Sequence, residues 1–143
     1  MASGGKKFSE KHGPGATPDP AIGETVRERA TDGALPCAVA FDIAADRNAA
    51  PHEVGRAVDL MEYRLIKCQL GLFGYGEKRK IVSPMTDPPE ALRSAIEAAA
   101  KEGRLPCRKA WEIAERFDVP KLRVGGACEG LGVKIKPCQL GAF

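Results

Sequence analysis

The chain has 143 residues, enough for one ordinary domain or two very small ones. Its apolar and charged fractions, 43% and 29%, are those of a soluble globular protein, and a net charge of +3 permits nucleic-acid binding without demanding it. No apolar run reaches the length of a membrane span, and no apolar region follows the first lysines to make a secretory signal, so the expected compartment is the cytoplasm.

Residues 1–17 are Gly, Lys, Ser and Pro with almost nothing apolar, and they are expected to form a mobile tail. Asp19 then reads as an N-cap with Pro20 at the first helical position. Ile22, Val26 and Ala30 recur at helical spacing, and Gly33 is expected to stop the helix. Pro36 starts a second helix whose face carries Ala40, Ile43 and Ala44 and ends near Asn48. A third helix from Pro51 places Val54, Ala57, Val58 and Met61 on one face. The period then changes, and Tyr63–Leu70 reads as a short strand. Gly71–Lys80 is a Gly-rich charged turn, with Ile81-Val82 as a possible returning strand.

The same order returns at a constant offset of 70 residues. Leu35-Pro36-Cys37 matches Leu105-Pro106-Cys107, and Cys68-Gln69-Leu70-Gly71 matches Cys138-Gln139-Leu140-Gly141, with no gap between the matches. Leu92, Ile96 and Ala100 repeat the first helix. Ala110, Ile113 and Ala114 repeat the second, with its end at Asp118. Val124, Ala127, Cys128 and Leu131 repeat the third, after Pro120, and Val133–Cys138 repeats the strand. Gly55 and Gly125 are shared inside the third helices, where glycine costs about 1 kcal/mol against alanine, so a close backbone contact is expected there. Residues 18–82 are therefore read as one repeat, 83–87 as a linker and 88–143 as a second repeat. The fold class is mainly α with small β: two tandem three-helix-plus-strand, helix-turn-helix-like repeats forming a pseudo-twofold domain. Each repeat is small for independent stability, and the last strand has no evident local partner. Leu65–Leu70 is thus expected to pair antiparallel with Val133–Leu140 across the twofold, with Pro137 donating no bond.

The segment Cys37–Tyr63 resembles the helix-turn-helix family: Ala40, Ile43-Ala44, a turn at Asn48-Ala49-Ala50, then Val54 and Ala57. With the strand and turn that follow, the first repeat looks like a winged helix. The resemblance implies a DNA-binding, regulatory protein whose third helix enters the major groove and whose turn touches phosphates. The contacts it implies are His52, Glu53 and Arg56 in the first repeat and Lys121 and Arg123 in the second, with Lys78, Arg79 and Lys80 as the wing. The second repeat departs from this pattern, with Gly126 in place of Arg56 and no wing. The alternative is a protein-interaction module on the same fold, since fold alone does not fix function.

Cys37, Cys68, Cys107 and Cys138 form a tetrad by the internal match. Four thiolates could hold zinc or an iron–sulfur cluster. Without a Cys-x-x-Cys hairpin, the simpler reading makes each a small buried hydrophobe and requires no cofactor. The odd count of five argues against a closed disulfide framework. Gln69 and Gln139 read either as functional hydrogen-bonding groups or as groups that cap or pair at the strand ends. Arg64, Lys67, Lys134 and Lys136 form either a basic edge or a solvated strand face. The only histidines are His12 and His52, no phosphate loop precedes a helix, and no nucleophile–base spacing stands out, so the chain is not expected to be an enzyme.

Overall fold

Asp19 caps the helix that opens at Pro20. Its carboxylate accepts the N–H groups of Ala21 at 3.0 Å and Ile22 at 3.1 Å, satisfying donors that the first helical turn leaves free. The computed structural model describes residues 12–13, 15–75 and 80–142. It is mainly helical, with four short strands among those residues. The chain divides after Ile66 into two compact units.

In the first unit, helix α1 (Pro20–Arg29) is followed by strand β1 (Ala34–Pro36), helices α2 (Cys37–Asp46) and α3 (Pro51–Leu60), and strand β2 (Arg64–Ile66). Helix α1 ends before Gly33, because Ala30 is already extended. Asp32 and Gly33 are both left-handed, at φ 51° and 74°. They form the centre of a two-residue turn closed by reciprocal Thr31–Ala34 bonds of 2.9 Å. Asn48, at φ 52°, makes the turn between α2 and α3. The three helices pack on one another over Ile22, Val26, Leu35, Ala40, Ile43, Val54, Ala57 and Val58, all buried.

The second unit begins with an irregular stretch from Lys67. It continues through helix α4 (Glu90–Ala99), strand β3 (Arg104–Leu105), helices α5 (Cys107–Phe117) and α6 (Lys121–Leu131), and strand β4 (Lys134–Ile135). Glu102 and Gly103 repeat the left-handed pair, and Asp118 repeats Asn48. Its core joins Leu92, Ile96, Leu105, Ile113, Val124 and Ile135 to Cys68 and Leu70.

The strands correct the expected pairing. β2 pairs parallel with β1, Ala34 opposite Arg64, and β4 pairs parallel with β3, Arg104 opposite Lys134. The antiparallel pairing of Leu65–Leu70 with Val133–Leu140 is not formed. Parallel neighbours need a crossover, and α2–α3 and α5–α6 supply it. The partner strands escaped the sequence reading because three and two residues beside a proline carry no alternation to detect. Ile81-Val82 is not a strand either. Both of its N–H groups converge on the Gly71 carbonyl, at 2.9 and 3.1 Å.

Candidate nucleic-acid interface

Helix α3 is positioned by its own amino terminus. Pro51 takes the first helical position, and the Glu53 carboxylate accepts the Ala50 N–H at 3.3 Å. With Val54, Ala57 and Val58 buried, helical geometry leaves His52, Glu53 and Arg56 exposed. The segment before α1 reaches this helix. Arg56 donates to the Thr17 carbonyl at 3.4 Å, and His12 Nε2 lies 2.9 Å from Oδ2 of the buried Asp59. His12 and Thr17 of the expected tail are thus held beside α3; residues 1–11 and 14 lie outside the described residues.

Helix α6 offers less. Lys121 is half-buried, with its ammonium 4.5 Å from the centre of the Trp111 ring, and Arg123 is exposed. Beyond that first turn an extended segment lies across the helix. The Met85 N–H donates to the Gly126 carbonyl at 2.9 Å. A side chain at Gly126 would put its Cβ 2.8 Å from the Ser83 carbonyl oxygen, and one at Gly130 would run into Met85. One at Gly125 would run into the Leu70 carbonyl, so the close backbone approach expected at Gly125 is present. Gly55 is buried in α3.

Of the expected wing, residues 76–79 lie outside the described residues. Residues 67–75 belong to the second unit, where Lys67 and Cys68 donate to the Gly74 and Phe73 carbonyls at 3.1 Å and the Tyr75 hydroxyl bonds the Cys68 carbonyl. Lys80 is paired with Glu129 of α6 at 2.9 Å, and Lys78 and Arg79 lie outside the described residues. Charge is unevenly divided. Residues 1–66 carry 8 Lys and Arg against 10 Asp and Glu, and residues 67–143 carry 14 against 9. The second unit is therefore the basic one.

The chain matches no protein-family model, no curated protein and no solved structure.

Of the cysteine tetrad, Cys68, Cys107 and Cys138 are neighbours within the second unit, and Cys37 lies in the first. Cys107 opens α5, its N–H donates to the Pro137 carbonyl at 3.0 Å, and Gln139 Nε2 lies 3.5 Å from its sulfur. The Leu140 N–H points at the Cys138 sulfur at 3.4 Å. Burial pushes the Cys68 and Cys107 thiols up, against backbone and Gln139 donors that pull them down. Cys128 is pushed up to about 12 by burial, with the Glu129 carboxylate adding to it. Among the described residues no group of three or more His, Cys, Asp and Glu side chains is placed to hold a metal ion. Also among the described residues, no helix is long and apolar enough to cross a membrane.

Proposed function

We propose that the chain is a DNA-binding, regulatory protein built from two copies of one helix-turn-helix unit, and that it contacts DNA chiefly through its second unit. The repeat is supported by the strand registers, Ala34–Arg64 and Arg104–Lys134, which differ by the same 70 residues as the sequence match. The left-handed residues Asp32 and Glu102, and Asn48 and Asp118, keep that offset.

One observation carries the reading: the first turn of α6, which follows the Asp118 turn, leaves Arg123 open to solvent in the basic half of the chain. A helix-turn-helix reads DNA with the amino-terminal residues of its second helix. Arg123 and Lys121 take that role here, and His52 and Arg56 take it in the first unit. The segment at Ser83–Met85 keeps the rest of α6 out of a groove, so few phosphates are neutralised. With about three phosphate contacts, log affinity should fall against log salt with a slope of roughly −3. The test is binding to a mixed duplex pool across a salt series. Lys121→Ala with Arg123→Ala should flatten the slope by about 2. A chain that retains no DNA even at low salt ends the proposal.

A protein partner is the second reading. It is favoured by Ile81 and Leu122, 42% and 41% exposed, which border a cavity of about 610 Å³ with Met85, Pro89 and Pro120. A partner seated there should bind with little salt dependence.

A further inference from the structure

A second cavity lies within the basic unit, away from the first turn of α6. Its volume is about 520 Å³, within the usual range for sites that take small organic molecules. Leu72, Phe73, Val133 and Ile135 form apolar walls. The Cys128 thiol adds to them, since burial keeps it protonated and uncharged near neutral pH. Gly125 and Gly132 also line the cavity, and a Cβ at Gly132 would meet only open space.

The charges at this cavity do not cancel. Lys80 and Glu129 neutralise each other through a 2.9 Å ion pair. Lys134 and Lys136 also line the cavity, both are exposed, and neither enters an ion pair among the described residues. They flank Ile135 on and just after β4, and all three residues line the cavity. Two uncompensated ammonium groups beside an apolar hollow match a ligand with a hydrophobic body and one anionic end.

We propose that this cavity binds a small organic anion of the aryl- or alkyl-carboxylate class, its apolar body against Phe73, Val133 and Ile135 and its carboxylate at Lys134 and Lys136. This site is independent of whether the chain binds DNA. Phe73 supplies an aromatic surface, and the lysines supply orientation. A neutral molecule of the same shape keeps the first contact and loses the second.

The experiment compares 1-naphthaleneacetate with its neutral amide by calorimetric titration of the full chain. The acid should bind one-to-one and about three- to tenfold more tightly than the amide, the range expected for two solvent-exposed charge contacts. Lys134→Gln with Lys136→Gln should remove that preference while leaving amide binding unchanged. Both lysines are exposed, so the double variant should keep the thermal melt of the parent chain, which serves as the folding control. Methyl resonances of Val133 and Ile135 should shift with either ligand. Equal binding of acid and amide, absence of saturation, or a preference that survives in the double variant would each overturn the proposal.

Discussion

Gly126 and Arg56 occupy matching positions 70 residues apart, and the difference between them is one of space. At Gly126 the helix surface is occupied by the backbone of Ser83, 2.8 Å from where a Cβ would sit. A carbonyl on a hydrogen-bonded segment cannot yield as a flexible side-chain tip can. Gly126→Arg should therefore destabilise the protein by about 1–3 kcal/mol through overpacking, read as a lower denaturation midpoint. It should also speed amide exchange at Met85, which donates to residue 126. An unchanged midpoint and unchanged Met85 exchange would show that Ser83 does not lie against the helix. Cys128 gives a second expectation at this scale. Its thiol ionises near 9 in the unfolded chain and only at about 12 in the folded one. The unfolded state thus loses a proton first as pH rises. The stabilisation is complete below pH 9 and is lost between there and about 12. Stability should fall by roughly 1.4 kcal/mol per pH unit from this group in that window. Cys128→Ala should lower stability at pH 7 and flatten the alkaline slope, both measurable by denaturant titration. A slope as steep in the variant would place the alkaline loss at other groups.

At the scale of elements, the parallel strand pairs explain how so short a sheet is kept. Each pair closes a crossover of two helices, so two or three backbone bonds secure a whole helical layer. Lys134 and Lys136 donate to the Gly103 and Leu105 carbonyls at 2.8 and 2.9 Å, and Arg64 donates to Gly33 at 2.8 Å. These three amides should be among the slow-exchanging sites outside the helices, although their side chains face solvent. Rapid exchange at all three would remove the parallel register. The helices themselves were legible in the sequence because their signals are local. Asp19, Pro20 and Pro51 act within one turn of their own positions, and Val54, Ala57 and Val58 mark a buried face by spacing alone. β1 and β3 were not legible. Their residues become strands only because β2 and β4 arrive beside them.

For the whole molecule, the division of charge matters more than the total. The net +3 arises from an acidic stretch to residue 66 and a basic stretch beyond it. Electrostatic attraction to a polyanion should therefore be concentrated in residues 67–143. Charge reversal at Lys134 and Lys136 should weaken non-specific DNA retention at low salt more than Arg27→Glu with Arg29→Glu, as measured by anisotropy. Equal losses from the two variants would mean that the acidic half contributes as much as the basic half.

By itself the sequence determined the mainly helical class, the starts of α1 and α3, the turns at Asn48 and Asp118, and the segments that match at an offset of 70. Each of these follows from capping, proline geometry or spacing within a few residues, or from direct comparison of one half with the other. Only the tertiary structure decided that β1 and β3 exist, that 82–85 closes over α6, and that Lys80 turns to Glu129. Only it decided that Lys134 and Lys136 border an apolar cavity. Those features depend on which distant backbone reaches a given surface, and the glycines and lysines involved carry no periodic mark of what will lie against them.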